Sequence, residues 1–513
     1  MPVILCVGSV AMDAAVALPD VIGSHMVLQR DMPVPIWGTA DPAEKITVTF
    51  RDQKKTTTAD AQGKWRVKLD PLQVGEPATL TVAGSNTLTL TDVLVGEVWI
   101  GSGQSNIDSP VTMYAAKDPV LDEARKQPHP QLRLFHQPKK NGWKETNAAN
   151  VNGFSAQLFY FGVRLQQELG VPVGVMQAAK GGMPSAPFIC QAGFDADADI
   201  QAAVTKWDQA NPLEVQQKKY EAALVRWKTD LAAALAAAQT DPVAEEAARK
   251  KFPEPKPPMR AADIKTGELF EKLVRPMIPY AIRGVLWDQG ESFAGIRQGI
   301  GQSLVMPALI RSWRKEWGQG DFPWIFVQKQ NGGGCALDPA NPINVGAKPF
   351  EPLPSAPPAQ AYAFSEGYSL GNPPNAFLSI TTDLVPGVHP INKSGYAMRA
   401  SHVALGAVYG RAIEYYGPVF ASFKIEGDKV RIAYTHTGKG LTVPPGQTLQ
   451  GFALAGADKK FHWADAVIEG EAVVLSSAAV PEPVATRYWP QAWANLFNRD
   501  GLPAGGFRTD DWK

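Results

Sequence analysis

The sequence predicts an α/β fold in which a parallel sheet flanked by helices lies between two β-rich regions. Three short apolar runs, at 173–176, 284–287 and 324–327, are each followed by glycines or polar residues, with helical stretches between them. This alternation is typical of buried parallel strands joined by helices. Before residue 95 and after residue 415, apolar and polar residues alternate instead, as in half-buried strands. A chain of 513 residues exceeds a single ordinary core, so we expect about two to four domains.

Residues 1–17 are the first element and predict an export signal. The stretch from Val3 to Ala17 is mostly apolar and small, and Ala15-Val16-Ala17 offers an A-x-A-like cleavage site. No Lys or Arg precedes the stretch and Asp13 interrupts it, so a buried first strand is the alternative. The stretch is too short to span a bilayer, and no later run is long enough. We therefore expect a periplasmic or secreted protein without a membrane anchor.

The rest of the chain divides into three regions by its patterning. Residues 18–95 contain alternating runs separated by glycine turns, which predict an N-terminal β-sandwich domain. Residues 96–412 carry the α/β pattern. They include an Ala-, Lys- and Glu-rich segment, about 196–262, that predicts an inserted helical hairpin acting as a solvated spacer. Residues 413–513 return to β patterning and predict a C-terminal β-rich region.

The segment 95–106 contains the strongest chemical motif. It begins as an apolar run ending at Trp99-Ile100, breaks at two glycines, and presents Ser105 on the turn. A serine hydroxyl is a poor nucleophile unless a base accepts its proton and nearby N–H groups receive the developing oxyanion. A strand that stops at a glycine-rich turn offers such N–H groups. The spacing differs from the G-x-S-x-G nucleophile elbow, so an ordinary turn is the alternative.

The same segment opens a series of blocks that resembles a known family. With its Gly-Gln-Ser-Asn end, 95–106 resembles the opening block of the sialate O-acetylesterase family, within the SGNH/GDSL hydrolase superfamily. The likeness runs from about Leu18 to the C-terminus, and further blocks follow in the family's order at 154–174, 284–292, 307–323 and 388–393. The resemblance implies an SGNH-hydrolase-like catalytic domain over 96–412 and a carbohydrate O-acetylesterase activity.

The resemblance also implies a role for each member of the site. Ser105 is the nucleophile, and its backbone N–H contributes to the oxyanion hole. Gly181 or Gly182 donates a second backbone N–H, since a glycine lets the backbone approach the substrate. The sequence leaves the choice between these two glycines open. Gln289 donates from its side-chain amide, and His389, one of seven histidines, is the general base because it lies in the family's histidine block.

Two neighbours of these residues are expected to support them. Asn106 directly follows the nucleophile in the motif. Glu291, in the block that contains Gln289, either hydrogen-bonds the Ser105 loop as a scaffold, which we favour, or acts as a carboxylate near His389.

The carboxylate that orients the base is the main departure from the family. The superfamily usually carries an aspartate two or three residues before the histidine, where this chain has Pro386 and Gly387. The nearest upstream carboxylate is Asp383, which we expect to be the third catalytic residue if the loop folds tightly. Glu291 or a backbone carbonyl is the alternative, and the carbonyl would leave a Ser–His dyad. Losing an orienting carboxylate costs a serine hydrolase about 10⁴ in turnover.

Composition restricts the cofactors and partners. The formal net charge is zero, 19% of residues are charged, and no basic block occurs, so we expect neither nucleic acid nor an anionic membrane as partner. The chain has no His-Glu-x-x-His motif or Cys/His cluster, so we expect no metal and no cofactor. Cys6 would leave with the leader. Cys190 and Cys335 lie in no nucleophile motif, and whether they pair stays open.

The expected substrate is an acetylated carbohydrate, either a sialate or a plant or algal polysaccharide. Asp288, Phe293 and the stretch 183–188 depart from the residues usual in the family. These positions line the expected pocket, so we expect the sugar or acyl preference to differ from the family norm. Two alternatives are a non-catalytic carbohydrate-binding protein on a decayed hydrolase scaffold and an esterase for a non-sugar acyl group.

Overall fold

The computed structural model describes residues 15–239, 241–289, 294–296, 300–328, 334–358, 373–489, 491 and 493–512. The predicted leader therefore lies almost wholly outside the described residues. Its last residues pack against the N-terminal region: Val16 is 2% exposed, and Ala17 exchanges backbone hydrogen bonds of 2.8 and 2.9 Å with Thr39.

The N-terminal region consists of strands that share one apolar core and pair antiparallel, except that β1 pairs in parallel with β7. Strands such as 46–50 alternate buried apolar residues with polar ones facing solvent, as their sequence predicts. The strands are β1 (Val27–Gln29), β2 (Val34–Thr39), β3 (Lys45–Phe50), β4 (Gln53–Thr58), β5 (Lys64–Leu69), β6 (Ala78–Ala83) and β7 (Thr87–Gly103). Strand β2 pairs with β5, and the order β4-β3-β6-β7 forms the other layer.

Strand β7 continues from the N-terminal region into the central sheet without a break. Its first part alternates in exposure and pairs antiparallel with β6, whereas every residue from Val93 onward is buried. From Glu97 to Gly103 it pairs in parallel with β10 (Val173–Ala179). The boundary that the sequence predicts at 95/96 therefore lies inside one continuous strand.

A buried carboxylate on β7 ties the two regions together. Glu97 is fully buried and accepts hydrogen bonds from Gln29 at 3.0 Å and Arg30 at 2.5 Å in the N-terminal region. It also accepts from Arg283, at 2.7 and 3.2 Å, just before the next central strand. A buried carboxylate is tolerated only when it is paired in this way.

The central sheet is parallel and confirms the predicted fold class. Its remaining strands are β8 (Leu132–His136), β9 (Lys144–Glu145), β11 (Gly284–Asp288), β12 (Trp324–Val327) and β13 (Ala376–Ser379). The order is β13-β12-β11-β7-β10-β8, with β9 antiparallel beside β8. The three predicted apolar runs are β10, β11 and β12. The carboxyl ends of β7, β10 and β11 meet at one edge because the strands are parallel.

Helices cover both faces of this sheet. On one face Trp287, Trp313 and Trp324 pack together, and on the other Trp99 packs edge-on against Phe161. The helices are α1 (Ser105–Asp108), α2 (Val111–Tyr114), α3 (Pro119–Lys126), α4 (Ala148–Asn152), α5 (Ala156–Leu169), α6 (Gln191–Ala196), α7 (Ala198–Ala210), α8 (Leu213–Ala237), α9 (Pro242–Lys251), α10 (Gln302–Trp317) and α11 (Lys393–Val403). Short 3₁₀ turns lie at Ala115–Lys117, Ala186–Phe188, Ala261–Asp263, Arg275–Met277 and Pro342–Asn344, and π turns at Phe270–Val274 and Ala404–Val408.

The segment predicted as a helical insertion is helical. Helices α8 and α9 form its hairpin, joined by a hydrogen bond of 2.8 Å from the Trp227 indole to the Phe252 carbonyl. Helix α8 has no buried residue, which fits a solvated spacer. None of the described helices is both long enough and apolar enough to cross a membrane.

The C-terminal region is built from short antiparallel strands around its own apolar core. Strands β14, β15, β20 and β19 form one sheet, in that order, and β18, β17, β21 and β23 another. Their ranges, with those of the pair β16 and β22, are β14 (Val419–Glu426), β15 (Lys429–Thr435), β16 (Leu441–Thr442), β17 (Phe452–Ala455), β18 (Phe461–Trp463), β19 (Asp465–Glu469), β20 (Ala472–Ser476), β21 (Ala485–Tyr488), β22 (Phe497–Asn498) and β23 (Phe507–Arg508). Cys190 and Cys335 are both buried and unpaired.

Candidate active site

Ser105 lies at the carboxyl end of β7, on a turn that only glycine allows. Gly103 has a φ of +122°, and a Cβ at that position would lie 2.2 Å from the backbone oxygen of Asp288 on the neighbouring strand. The backbone N–H of Gln104 donates to the same oxygen at 3.0 Å. The chain then starts α1 at Ser105, so the serine lies at a helix N-terminus, where backbone N–H groups lack partners within the helix.

His389 faces this serine from the loop between β13 and α11. Its Nε2 lies 2.8 Å from Ser105 Oγ, although the two residues are 284 positions apart in the sequence. This distance allows the imidazole to accept the hydroxyl proton directly. The structure therefore brings together the predicted nucleophile and the predicted base.

Asp383 is not brought to His389. Its carboxylate is buried and forms two hydrogen bonds with Arg399, at 3.1 and 2.9 Å. Among the described residues no carboxylate forms a hydrogen bond with His389. The expectation that Asp383 orients the base is therefore corrected, since the guanidinium on α11 engages both of its oxygens. Glu291, the other carboxylate proposed for this role, lies outside the described residues.

Of the two candidate glycines, Gly181 already uses its backbone N–H. That N–H donates to the Asp108 carboxylate at 2.9 Å, three residues after Ser105 on α1. Gly182 is exposed, has a φ of +72°, and a Cβ built there meets nothing within 4 Å. Its N–H donates to no acceptor among the described residues, so Gly182 suits an oxyanion donor better than Gly181 does.

Gln289 follows β11 and its side-chain amide is held in one orientation. The residue is 1% exposed, and its Oε1 lies 2.5 Å from Ser185 Oγ and accepts from Gln302 Nε2 at 2.7 Å. With Oε1 engaged on that side, the NH₂ group is directed away from Ser185 and Gln302. An NH₂ group is the kind of donor that an oxyanion contact requires.

Asn106 links the serine and histidine segments. Its Nδ2 donates to the Val388 backbone carbonyl at 3.0 Å, and its Oδ1 accepts from the buried ammonium of Lys393. The neighbouring Tyr114 ring lies beneath this ammonium. Burial, assisted by the charge of Asp288, raises the pKa of Tyr114, so its hydroxyl stays neutral.

Several of these contacts were not anticipated from the sequence. The position of Asp108 near Ser105 could have been predicted from the sequence, because it lies one helical turn after Ser105 on the same side of α1. Lys393 belongs to the histidine block, but lysine side chains are usually exposed to solvent, so the sequence does not indicate that it is buried. Ser185 and Gln302 carried no signal, since only the fold brings them to Gln289.

Comparisons with known proteins find similar esterases. No protein-family profile matches the chain. The rat sialate O-acetylesterase is 24% identical over 449 residues, covering 78% of this chain and 74% of the relative. The human sialate O-acetylesterase is 24% identical over 449 residues, covering 78% and 72%.

A solved structure extends the likeness over the full length. The crystal structure of a carbohydrate acetylesterase from Xanthomonas citri superposes with a TM-score of 0.70 at 26% identity, covering 97% of this chain and all of that one. The relatives and the structure together agree with the ordered sequence blocks. The chain is thus similar, over most of its length, to sialate O-acetylesterases and to a carbohydrate acetylesterase, and it is a carboxylic ester hydrolase.

Proposed function

We propose that this protein is a serine esterase that removes O-acetyl groups from carbohydrates through an acetyl-enzyme intermediate. The observation that carries the proposal is the 2.8 Å contact between Ser105 Oγ and His389 Nε2. The names of the similar proteins, sialate O-acetylesterase and carbohydrate acetylesterase, support an acetyl ester as the bond that is cleaved and a carbohydrate as the substrate. The architecture of the site supports placing the enzyme among the SGNH hydrolases.

In the first half-reaction His389 accepts the Ser105 proton while Oγ attacks the acetyl carbonyl carbon. The negative charge that develops on the carbonyl oxygen is stabilised by the N–H groups of Ser105 and Gly182 and the NH₂ of Gln289. His389 then donates the proton to the sugar oxygen, and the bond between the acetyl carbon and that oxygen breaks. The products are the free sugar hydroxyl and acetyl-Ser105.

In the second half-reaction water replaces the sugar. His389 accepts a proton from the water, whose oxygen attacks the acetyl carbon. Collapse of the second tetrahedral intermediate returns the proton to Ser105 Oγ and releases acetate. The same donors serve both intermediates, because the oxyanion forms at the same position.

The proposal also concerns which acetylated glycan the enzyme prefers. Two features depart from the family's usual residues: the stretch 183–188, which follows β10 directly after Gly182, and Asp288, the last residue of β11, directly before Gln289. We therefore expect rates to differ among acetylated xylan, pectin, xyloglucan and sialosides. Acetate released from each polymer at equal acetyl content measures the preference, and activity only on a non-sugar acetyl ester would contradict the carbohydrate assignment.

We also propose that the protein is exported. The support is the apolar N-terminal stretch with small residues at 15–17. Mass spectrometry of the mature protein from periplasm and culture fluid tests this. An intact N-terminus on protein confined to the cytoplasm would contradict it.

The nucleophile is tested with Ser105→Ala on 4-nitrophenyl acetate. We expect a loss of kcat of about 10³ or more, as for loss of a serine nucleophile. The matched control is Ser401→Ala, which removes a buried hydroxyl that donates to the Met398 carbonyl on α11. Wild-type protein no faster than Ser105→Ala, with glycan binding retained, would favour the non-catalytic binding protein instead.

A further inference from the structure

We infer that Asn106, held by the buried Lys393, is the positioning residue that fixes the His389 loop against Ser105. This inference rests on the proposed function, because it concerns the same Ser–His pair. Asn106 is linked to the loop that carries the base. It acts through the Val388 backbone carbonyl, one residue before the base.

The orientation of the Asn106 amide follows from its partners. Lys393 Nζ can only donate a hydrogen bond and the Val388 carbonyl can only accept one. The Asn106 oxygen must therefore face the ammonium and its nitrogen must face the carbonyl. Since Asn106 is fully buried, leaving either end unpaired costs about 1–3 kcal/mol, which favours this single arrangement.

Lys393 is placed so that it must have such a partner. It is the first residue of α11 and is fully buried, where an ammonium needs hydrogen bonds or a π face to replace water. The Asn106 oxygen supplies the first, and the Tyr114 ring, with its centre 4.6 Å from Nζ, supplies the second. Tyr114 therefore holds the Lys393 ammonium, and Lys393 in turn holds the Asn106 amide in place.

The loop that carries the base needs this restraint. Gly387 has a φ of +110°, Val388 is 53% exposed, and His389 is exposed as well. Within the described ranges no carboxylate holds the imidazole, unlike in a Ser-His-Asp triad. The loop is held instead through two backbone carbonyls, that of Val385 by the Tyr396 hydroxyl at 3.0 Å and that of Val388 by Asn106.

The restraint comes from the residue next to the nucleophile, and this gives it a functional consequence. Asn106 is covalently joined to Ser105, so a movement of Ser105 also moves Asn106 and, through its hydrogen bond, the Val388 carbonyl. The distance between Ser105 Oγ and His389 Nε2 is thereby maintained. A misplacement of about 1 Å in a catalytic pair can cost about 10²-fold in rate. We therefore assign to Asn106 part of the orienting role that the expected aspartate does not perform.

Asn106→Asp is the most direct test. The aspartate keeps an oxygen for Lys393 but sets its second oxygen against the Val388 carbonyl, so attraction becomes repulsion. We expect kcat for 4-nitrophenyl acetate to fall about 10²-fold with KM within about threefold, because substrate contacts are unchanged. Lys393→Met, which leaves the Asn106 oxygen without its ammonium, should lower kcat less. The double variant Asn106→Ala/Lys393→Met should be no slower than the slower single variant, since both act on one restraint.

A matched control separates positioning from stability. Asn498 is also a fully buried asparagine with both ends engaged, donating to the Tyr416 carbonyl at 2.8 Å and accepting from the Leu502 N–H at 3.0 Å. Asn498→Ala should cost as much thermal stability as Asn106→Ala while leaving kcat unchanged. Should Asn106→Ala fold poorly, the nearly isosteric Asn106→Asp carries the comparison.

Failure of this inference is distinguishable from failure of the proposed function. If Asn106→Asp and Asn106→Ala keep kcat within about threefold of wild type while Ser105→Ala is inactive, Asn106 is structural and the esterase stands. If Ser105→Ala is as active as wild type, the proposed function itself is lost. A fall in kcat for Asn498→Ala equal to that for Asn106→Ala would also overturn the inference.

Discussion

Asp383 and Arg399 form a buried ion pair in which each carboxylate oxygen accepts a hydrogen bond from a different guanidinium nitrogen, at 3.1 and 2.9 Å. Arg399 Nη1 also donates to the Ile380 carbonyl at 2.8 Å. The pair therefore joins α11 to the segment that follows β13. Burial, together with the negative charge of the nearby Asp383, raises the pKa of the Cys335 thiol to about 12.

The first prediction concerns Asp383→Asn. Removing one charge of a buried pair leaves the other uncompensated, so we expect a loss of about 3–5 kcal/mol in the free energy of unfolding. Where the variant is folded, kcat should fall far less than the about 10⁴ that follows loss of a triad aspartate. Urea unfolding and kcat at one temperature check this, and a 10⁴-fold loss in a fully folded variant would restore Asp383 to a triad.

The second prediction distinguishes the two glycines. Gly182→Ala should cost about 1–2 kcal/mol, because its φ is in the left-handed region, and should lower kcat by displacing the oxyanion donor. At Gly181 a methyl group would lie 3.5 Å from Asp108 Oδ2 and 3.7 Å from Ser105 Cβ, which are ordinary contacts, so Gly181→Ala should keep its stability and most of its kcat. Thermal unfolding and steady-state kinetics measure both effects. The opposite order in kcat would assign the donor to Gly181.

The third prediction concerns Gln289→Glu. The substitution keeps an oxygen for Ser185 and Gln302 but removes the NH₂ group and adds a negative charge near the developing oxyanion. We expect kcat to fall about 10²–10³-fold, as for loss of an oxyanion donor elsewhere, with little change in KM. Ser185→Ala, which removes one of the two partners of Oε1, should give a smaller loss. Wild-type kcat in Gln289→Glu would exclude this residue from the oxyanion hole.

The fourth prediction concerns pH. Burial, reinforced by the charge of Lys139, lowers the pKa of His136 to about 4 from an ordinary value of 6.5. Between these values the unfolded chain binds more protons at this residue than the folded chain, so the free energy of unfolding falls as the pH is lowered from 6.5 towards 4. His136→Gln should flatten that part of the urea-midpoint profile, whereas His462→Gln at an exposed histidine should not. An unchanged slope in His136→Gln would contradict the assignment.

The fifth prediction concerns the thiols. Cys190 and Cys335 are each 2% exposed, and the raised pKa of Cys335 keeps it in the unreactive thiol form. In a Cys6→Ser background, a thiol reagent should therefore label the folded protein slowly and find two thiols after denaturation. No thiol after denaturation without reductant would indicate a disulfide between these cysteines.

The sequence predicts the parts of this molecule whose signals are local. The apolar runs of β10, β11 and β12 could be recognised because strands buried on both faces have no polar alternation. Ser105 and His389 could be found because each lies in a distinct block. Because β7, β11, β12 and β13 are parallel, the segments that follow β7 and β13 lie at the same edge of the sheet.

The parts that the sequence does not predict depend on partners distant in the chain. Asp383 is the nearest upstream carboxylate to His389 along the chain, but Arg399, 16 positions after Asp383, binds both of its oxygens in the fold. Lys393 is a residue type that is rarely buried, so nothing local indicates its contact with Asn106. The boundary at 95/96 fell inside β7, because the change from alternating to uniformly apolar residues marks a change of surroundings and not the end of a strand.

The continuity of β7 determines how this enzyme can be divided. A truncated chain that begins at residue 96 would keep the nucleophile, but Glu97 would lose Gln29 and Arg30 and leave Arg283 as its partner. The amino end of the central strand would also lose β1 and be exposed to pairing with other chains. The N-terminal region is thus not a detachable module, and chimaeras between relatives should exchange it together with β7 and its neighbours.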